Sequence, residues 1–155
     1  MKIITGKYKG RVIEGFNLDG TRPTMDRVKE SLFAIIQEKV PNSIVLDLFA
    51  GSGNLGFEAL SEGAKKAYLV DSNKKAIQIM KKNIETIGIE NAEWVLADYI
   101  EALHLFKKKN IVFDLIFLDP PYQTDYIKKS IEQIEKNDLL RENGLIICES
   151  NQTDK

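Results

Sequence analysis

The stretch with the clearest chemical meaning is a glycine-rich turn that follows a short apolar segment. Residues 44–48 are apolar except for Asp47, and they predict a buried strand. The turn Gly51-Ser52-Gly53 comes next, and apolar residues from Leu55 to Leu60 then resume with helical spacing. Glycine lets the backbone approach a ligand, and the start of a helix offers free N–H groups. This order of strand, turn and helix therefore predicts a site for a nucleotide-containing cofactor.

Acidic residues end the predicted strands that follow this turn. Asp71 closes the segment 67–71, where an acid can accept both hydroxyl groups of a ribose. Asp98 follows the segment 93–97 and is placed to accept a hydrogen bond from an exocyclic amine at the far end of the same ligand. Each acid could equally be the N-cap of the helix that follows it.

The spacing of Gly51, Gly53 and Gly56 also fits the G-x-G-x-x-G fingerprint of NAD-binding proteins. Asp47 argues against NAD, because a carboxylate beside the turn would face a pyrophosphate badly. The same carboxylate would suit a ligand that carries an ammonium or sulfonium group. A dehydrogenase also has no obvious use for the motif Asp119-Pro120-Pro121-Tyr122.

This second motif follows a predicted strand, Phe113–Leu118. Its paired prolines stiffen the loop and remove N–H groups near the Pro120 carbonyl. The Asp119 carboxylate and that carbonyl are two acceptors that can hold a planar amine and direct its lone pair at an electrophile. Tyr122 offers a ring on which a base can stack. The motif predicts chemistry on the amine of a nucleobase, the alternative being a Pro-Pro turn with an incidental tyrosine.

Cations alternate near the N-terminus, at Lys7, Lys9 and Arg11. On a strand or hairpin they would project from one face, where they could track a phosphate backbone with Tyr8 between them. The alternative is a solvated edge strand whose lysines block pairing. Residues 1–30 carry a net charge of +3 although the whole chain carries −1, so the sequence predicts a basic arm on an acidic body.

A predicted helix follows this arm. Thr24 can cap a helix that begins near Met25 or Asp26. Arg22 and Arg27 bracket the cap, where they could hold a carboxylate or a phosphate, although Arg27 could instead pair along the helix. The buried stripe of this helix is predicted to contain Val28, Leu32, Ile35 and Ile36.

Strands alternate with helices along the rest of the chain, which predicts an α/β fold with a parallel sheet covered on both faces. The ligand would lie at the carboxyl ends of the strands, where Asp47, Asp71, Asp98 and Asp119 fall. The lysines from Lys107 to Lys109 are predicted to form a basic loop, and a fifth strand follows Asn143-Gly144.

Composition limits the class of protein to which this chain can belong. A chain of 155 residues with 43% hydrophobic and 29% charged residues is typical of one globular domain. Its one cysteine, Cys148, excludes an internal disulfide and a multi-cysteine zinc site, and we expect it in the core. The sequence has no apolar run of transmembrane length and no signal peptide, so we expect a cytoplasmic protein without a membrane partner.

Taken together, the motifs Asp47–Gly53 and Asp119–Tyr122 resemble those of class I S-adenosylmethionine (SAM)-dependent amino-methyltransferases. The segments Gly6–Arg11 and Thr21–Phe33 narrow the resemblance to the RsmD-type family, which methylates the N2 amine of a guanine in 16S ribosomal RNA. The likeness extends from the N-terminus to about Glu149, and the pairing of Arg-Pro-Thr with Asp-Pro-Pro-Tyr is its most discriminating feature.

The resemblance implies a Rossmann-like sheet, SAM as cofactor, and a direct in-line methyl transfer without a metal. It implies that cofactor contacts come from Asp47, Phe49, Gly51, Gly53, Asp71, Ser72, Asp98, Tyr99 and Asp119. It implies catalytic roles for Asp119, Pro120 and Tyr122, which would hold the target guanine. It implies contacts with RNA from Lys7, Lys9, Arg11, Arg22, Thr24, Arg27, Pro121 and Tyr122.

The resemblance also implies an organisation and a partner. Residues 1–24 would form a basic β-hairpin arm and substrate-binding segment, and residues 25–155 a methyltransferase domain. The partner would be 16S ribosomal RNA in a small ribosomal subunit or its assembly intermediate, bound by a monomer. Such folds usually finish with a further helix and an antiparallel strand pair. Because the sequence ends at Lys155, we expect these last strands to be missing, in a sheet that is short at that edge or in a truncated chain.

Three other functions stay open. A DNA adenine amino-methyltransferase acts on a similar amine, although 155 residues leave no room for an extra target-recognition domain. An NAD-dependent oxidoreductase is a second alternative. A third is a non-catalytic assembly factor that binds SAM or RNA.

Overall fold

A five-stranded parallel sheet forms the centre of the computed structural model, which describes residues 1–15, 23–121 and 124–148. Its strands are β1 (Ile44–Asp47), β2 (Lys66–Asp71), β3 (Ala92–Leu96), β4 (Phe113–Leu118) and β5 (Leu140–Cys148). They lie in the order β3-β2-β1-β4-β5, and every neighbouring pair is parallel. The carboxyl ends of all five strands therefore lie at one edge of the sheet.

Helices cover both faces of this sheet. They are α1 (Pro23–Ile35), α2 (Asn54–Ser61), α3 (Lys74–Ile87), α4 (Tyr99–Lys108) and α5 (Thr124–Lys136). Strand side chains alternate between two cores: Val45 and Phe117 pack with α1, α2 and α3, whereas Leu46 and Ile116 pack with α4 and α5. The predicted α/β fold with helices on both faces is confirmed.

Residues 1–15 pack against the face that carries α1, α2 and α3. Lys2 and Val12 form an antiparallel bridge, and residues 5–10 between them form turns. Gly6 and Gly10 have φ angles of +88° and +86°, which only glycine adopts readily, so the chain reverses there instead of extending. The N-terminal segment is thus a broad loop closed by a short antiparallel contact.

This loop corrects the prediction of an alternating basic ribbon. Lys7 and Lys9 lie in the turns, so they do not share the face of a strand with Arg11. Tyr8 is buried, and its hydroxyl accepts a hydrogen bond from the N–H of Glu90 at 3.0 Å. The Tyr8 ring consequently belongs to the core, and it is unavailable to contact RNA between the cations.

The stripe predicted for helix α1 is only partly correct, since Ile36 is buried and Leu32 packs against the core. Val28 and Ile35 are 48% and 81% exposed, whereas Lys29 and Phe33 are buried. The helix also begins at Pro23, a favoured first position for proline, so Thr24 lies inside the first turn and not in front of it. The apolar pattern failed here because a lysine occupies the buried face.

Two smaller predictions are also wrong. Lys107 and Lys108 belong to the last turn of α4 and not to a loop. Cys148 is exposed because β5 is the outermost strand of the described sheet, and partial burial raises the pKa of its thiol. In the part of the chain that the structure describes, no helix is both long and apolar enough to cross a membrane.

Candidate active site

Four aspartates lie in a row along the carboxyl edge of the sheet. Asp47 and Asp71 are the last residues of β1 and β2, Asp119 follows β4 directly, and Asp98 follows β3 by two residues. The strand order places them in the sequence Asp98, Asp71, Asp47, Asp119 across the edge. With strands about 4.8 Å apart, the row spans about 14 Å, comparable to a nucleoside with an extended substituent. The predicted convergence of strand ends is confirmed.

Asp47 is the most constrained member of the row. It is 1% exposed, and its Oδ2 accepts a hydrogen bond from the N–H of Gly56 at 3.0 Å. Its Oδ1 is buried and has no hydrogen-bond partner among the described residues. Burial is the main cause that raises the pKa of Asp47 to about 7; the charges of Asp119 and Asp71 act in the same direction, and the hydrogen bond from Gly56 acts against them.

The glycine turn uses its own N–H groups within the protein. Gly51 donates to Oδ2 of Asp71 at 2.8 Å, and Gly53 donates to the carbonyl of Ala50 at 2.8 Å. Together with the Gly56–Asp47 bond, these contacts leave the turn poorly equipped to bind a pyrophosphate, which relies on free N–H groups at this place. The NAD fingerprint is present in the sequence, but the N–H groups of its three glycines are bonded within the protein.

Open space adjoins Gly51. With φ of +57°, a Cβ added there would meet no atom within 4 Å, whereas a Cβ on Gly53 would lie 2.3 Å from the Phe57 ring. Gly53 is therefore required by close packing against α2. Gly51 instead leaves room beside the row of aspartates, where a ligand can approach the backbone.

Asp71 and Asp98 both hold backbone groups in this structure. Oδ1 of Asp71 accepts from the N–H of Asn73 at 2.9 Å, and Oδ2 of Asp98 caps α4 by accepting from Ile100 at 3.0 Å. The capping alternative for Asp98 is thus realised. Each ionised carboxylate has about four lone-pair positions, so these bonds leave acceptor capacity for a ligand. Ser72 is exposed next to Asp71.

Three aromatic rings form a cluster beside the row. The ring centroids of Phe49 and Tyr99 lie 5.3 Å apart, and Tyr126 lies 5.7 Å from Phe49 and 5.2 Å from Tyr99. Burial and the nearby charge of Asp98 raise the pKa of Tyr99. Phe49 and Tyr99 were predicted as cofactor contacts, whereas Tyr126 was not, because only the packing of α5 brings it here.

The structure describes only part of the motif Asp119–Tyr122, which was predicted to hold the target amine. Asp119 is exposed, Pro120 is half-buried and Pro121 is exposed. Asp119 is near enough to Asp47 for its charge to act on the pKa of that buried acid. Tyr122 and Arg22 lie outside the described residues, and of Thr24 only the helical backbone is described.

Two of the predicted RNA-binding cations, Arg11 and Lys7, make contacts at or just beyond the C-terminal end of α3. Arg11 donates to the carbonyls of Thr86 at 2.8 Å and Ile87 at 3.3 Å, a favourable place for a cation at a helix end. Lys7 forms an exposed ion pair with Glu90 at 3.4 Å. Lys9 and Arg27 are exposed.

A buried ion pair joins the N-terminal segment to α1 and α2, and the sequence reasoning missed it. Lys29 Nζ lies 3.0 Å from Oε1 of Glu58, with both side chains 1% exposed. It also donates to the carbonyl of Lys2 and to Oδ1 of Asn54, each at 2.7 Å. The only signal in the sequence was a lysine within the apolar stripe of an amphipathic helix.

Asn83 is a second junction that the sequence did not reveal. Its amide donates to the carbonyls of Glu14 at 3.0 Å and Ser52 at 3.2 Å, and its Oδ1 accepts from the N–H of Glu14 at 3.0 Å. This buried side chain on α3 therefore connects the N-terminal segment to the glycine turn. An asparagine within a helix gives no local indication of such a role.

Taken together, the edge suits an elongated ligand that carries positive charge. Four carboxylates attract a cation, the unpartnered Oδ1 of Asp47 is available to accept a hydrogen bond, and the space at Gly51 admits the ligand. The committed N–H groups and the acidic row both disfavour a pyrophosphate. These observations favour a cationic nucleoside over NAD.

Comparison with known proteins agrees with this geometry. A family model described as "Conserved hypothetical protein 95" matches residues 1–155. Two relatives are named "Ribosomal RNA small subunit methyltransferase D". The protein from Buchnera aphidicola (Acyrthosiphon pisum) is 39% identical, over 95% of this chain and 76% of its own length. The one from Escherichia coli K12 is 35% identical, over 97% and 74%.

Solved structures share the fold. The Escherichia coli protein yhhF superposes with a TM-score of 0.86 at 34% identity, over 100% of this chain and 84% of its own. A Streptococcus mutans protein named as a SAM-dependent methyltransferase superposes with a TM-score of 0.72 at 25% identity, over 88% of this chain and 37% of its own. The family match and the near-complete coverage by relatives show that this chain belongs to the RsmD family.

Proposed function

We propose that this protein transfers a methyl group from S-adenosylmethionine to the exocyclic N2 amine of a guanine in small-subunit ribosomal RNA. The observation that carries the proposal is the row Asp98, Asp71, Asp47, Asp119 along one edge of the sheet. A nucleoside fits the first two positions, a cationic substituent the third, and an amine to be modified the fourth. The names of the two RsmD relatives support ribosomal RNA as the substrate.

S-adenosylmethionine suits this row because it carries a sulfonium and an ammonium group. When bound, it supplies an electrophilic methyl group on its sulfonium sulfur. Asp71 would accept from the ribose hydroxyls and Asp98 from the adenine amine, while Asp47 Oδ1 would receive a donor from the cationic part. Binding a cation also favours the charged form of Asp47, whose burial is otherwise costly.

Asp119 and Pro120 would act on the target amine. Their carboxylate and carbonyl accept its two N–H groups and direct the nitrogen lone pair at the methyl carbon. Methyl transfer would form a new N–C bond as the C–S bond of the cofactor breaks, and the Asp119 carboxylate or water would take the excess proton from nitrogen. The negative charge of Asp119 stabilises the positive charge that develops on nitrogen.

The substrate assignment fits the remaining features. Residues 1–24 would serve as the substrate-binding segment and residues 25–155 would carry the cofactor and catalytic groups. We infer that the substrate is a small ribosomal subunit or its assembly intermediate, bound by a monomer. We place the protein in the cytoplasm because that is where the proposed substrate is assembled.

Labelled S-adenosylmethionine tests the proposal directly. Small ribosomal subunits, deproteinised ribosomal RNA and genomic DNA, all from cells lacking this enzyme, are offered as acceptors, and the products are digested to nucleosides. We expect label in N2-methylguanosine from the ribosomal RNA of the small subunit. Label in N6-methyladenine from DNA would replace this proposal with the DNA alternative.

An Asp119→Ala variant tests whether this carboxylate acts in methyl transfer. Because Asp119 is exposed at the end of β4, its removal is expected to leave the fold intact. The variant should bind S-adenosylmethionine within about threefold of wild type and transfer methyl groups at least about 100-fold more slowly. Cofactor binding by wild type with no transfer to any acceptor would point to a binding-only assembly factor.

A further inference from the structure

Helix α3 carries a charge that no other helix of the described fold has. It contains Lys74, Lys75, Lys81 and Lys82 against the single acid Glu85, a net charge of +3. The other four helices have net charges between −1 and +1. All four lysines are exposed, so this helix presents a basic face to solvent.

The lysines form two rows along the helix. Lys74 and Lys81 are seven residues apart, as are Lys75 and Lys82, so each pair lies on one side at a separation of about 10 Å. The positions one turn after Lys74 and Lys75 are occupied by Gln78 and Ile79, which offer no negative charge. Glu85 lies one turn after Lys81, and Lys82 forms an exposed ion pair with Glu14 at 3.2 Å. An exposed ion pair of this kind contributes little to stability, so a phosphate can replace the carboxylate at Lys82.

The row of Lys74 and Lys81 borders the outermost strand on that side of the sheet. The Nζ of Lys81 lies 4.8 Å from the centroid of the Trp94 ring. Trp94 is 41% exposed, and Leu96, two residues further along the same face of β3, is 45% exposed. A large exposed aromatic ring beside lysines is the combination that binds unpaired nucleobases and their phosphates.

The two ends of α3 connect this face to the proposed site. At its start, Asn73 donates its N–H to Asp71 in the aspartate row. At its end, Arg11 binds the carbonyls of Thr86 and Ile87. Helix α3 thus extends about 20 Å from the cofactor edge to the basic N-terminal segment, and its lysines lie along the first 12 Å or so.

We propose that the outer face of α3, together with Trp94, is an RNA-binding surface that stacks an unpaired base on Trp94 and contacts phosphates through the lysine rows. The proposal rests on the proposed function, because ribosomal RNA is the ligand. When a base covers the Trp94 ring, Lys81 leaves the ring and pairs with a phosphate. The aromatic contact that the sequence assigned to Tyr8, which is buried, is supplied by this surface.

Tryptophan fluorescence reports on this surface without a label, because Trp94 is the only tryptophan of the chain. The full chain is titrated with a single-stranded RNA oligonucleotide of mixed sequence and with protein-free small-subunit ribosomal RNA. Stacking of a base on the ring is expected to quench the emission in proportion to bound RNA. RNA binding, measured independently by filter retention, with unchanged emission would overturn the stacking contact.

Variants at Trp94 separate stacking from a loss of structure. Trp94→Phe keeps an aromatic face, and we expect it to bind RNA within about threefold of wild type. Trp94→Ala should bind roughly 5- to 100-fold more weakly, with an unchanged thermal unfolding curve. Equal affinities of the two variants would contradict a stacking role.

Paired lysine substitutions test the phosphate contacts. Lys74→Ala with Lys81→Ala should weaken binding of the oligonucleotide and lower the slope of log affinity against log salt by about 1.4, that is about 0.7 for each lost contact. The control carries Lys128→Ala and Lys129→Ala, two exposed lysines on α5 across the sheet. A control that loses as much affinity and slope as the α3 variant would reduce the effect to general charge and overturn the proposal.

The outcomes distinguish this surface from the proposed enzymatic activity. If wild type methylates subunits and the α3 variants lose methyl transfer while they still bind S-adenosylmethionine, the result supports both the RNA-binding surface and the enzymatic activity. If wild type methylates subunits but Trp94 is not quenched and the α3 lysine variant binds like wild type, this surface is wrong and the activity stands. If quenching and the lysine effect occur but no acceptor is methylated, the RNA surface stands and the activity fails.

Discussion

At the scale of single residues, Asp47 carries a conflict between stability and function. Its side chain is buried, one of its oxygens lacks a partner among the described residues, and its pKa is raised to about 7. A carboxylate with these properties costs free energy in the unliganded protein whenever it is charged. The presence of an aspartate at the end of β1 is explained if a cationic ligand supplies the missing interaction.

Because the buried charge of Asp47 costs free energy, we expect Asp47→Asn to stabilise the unliganded protein. The gain in the free energy of unfolding should increase as the pH rises. The pKa of Asp47 is higher in the folded chain than the ordinary value of 3.8, so the folded protein binds this proton more tightly than the unfolded chain. Wild type therefore loses stability between about pH 4 and pH 7, and the variant does not. Urea unfolding at about pH 8 should show a gain of 1 kcal/mol or more, up to about 4 kcal/mol. At about pH 4 the gain should vanish, and an equal gain at both pH values would contradict the explanation.

The sequence revealed individual site residues only where a local motif marks them. Asp71 and Asp119 were identified because each ends an apolar strand, and strand ends converge in a parallel sheet. Tyr126 was not predicted as a site residue, because its contact with Phe49 depends on how α5 packs, and no local sequence pattern encodes that packing. Tyr8 was misassigned for a related reason, since its burial follows from the docking of the N-terminal loop.

At the scale of secondary structure elements, the N-terminal segment is held to the fold by two buried junctions. Lys29 and Glu58 form the first, and Glu58 also accepts from the N–H groups of Ile4 and Thr5 at 3.0 and 3.1 Å. Burial lowers the pKa of Lys29, against which the charge of Glu58 acts. Such a pair contributes mainly when both partners are present, because either one alone is a buried charge.

Lys29→Met is therefore expected to destabilise the protein by about 3–5 kcal/mol, since it leaves Glu58 buried without a cation. Adding Glu58→Gln to this variant should restore a substantial part of the loss. Urea unfolding of wild type, the single variant and the double variant measures both effects. A single variant that loses under about 1 kcal/mol would show that the pair is dispensable.

The second junction, Asn83, predicts a local effect on the N-terminal segment. Asn83→Ala removes the partner of both backbone groups of Glu14, so hydrogen–deuterium exchange at the Glu14 amide should accelerate at least about tenfold. The amides of Ile3 and Gly10 serve as internal controls, because they bond to Arg11 and Ile3 within the segment. Acceleration at all three amides to the same extent would indicate general unfolding and would contradict the specific role of Asn83.

Elements marked by a clear local pattern were predicted well, and those that depend on tertiary contacts were not. The structure has β4 at the predicted bounds, because a continuous apolar run defines this strand. Two of the four residues predicted for the stripe near α1, Val28 and Ile35, are exposed, because the buried face includes Lys29 where an apolar residue was expected. The fifth strand was predicted to follow Asn143-Gly144, but β5 begins at Leu140, so Asn143 lies inside it, where the register with β4 shifts.

At the scale of the whole molecule, charge is segregated although the net charge is only −1. The acidic row occupies the carboxyl edge of the sheet, and α3 carries a net charge of +3 on an adjoining face. The first suits a cationic cofactor and the second an anionic polymer, so the two ligands are attracted to different places. Composition alone concealed this division, because the charges cancel in the sum.

The acidic edge predicts a thermal shift that discriminates between cofactors. S-adenosylmethionine at about 100 times its dissociation constant should stabilise the folded chain by about 2.7 kcal/mol, which raises the Tm of a domain of this size by about 5–10 °C. NAD should produce no shift, because the row of carboxylates repels its pyrophosphate and the turn amides are already bonded. Differential scanning fluorimetry measures both ligands on wild type and on Asp47→Asn. The variant should begin from a higher Tm and respond weakly to S-adenosylmethionine, whereas a full shift in the variant would exclude Asp47 from cofactor binding.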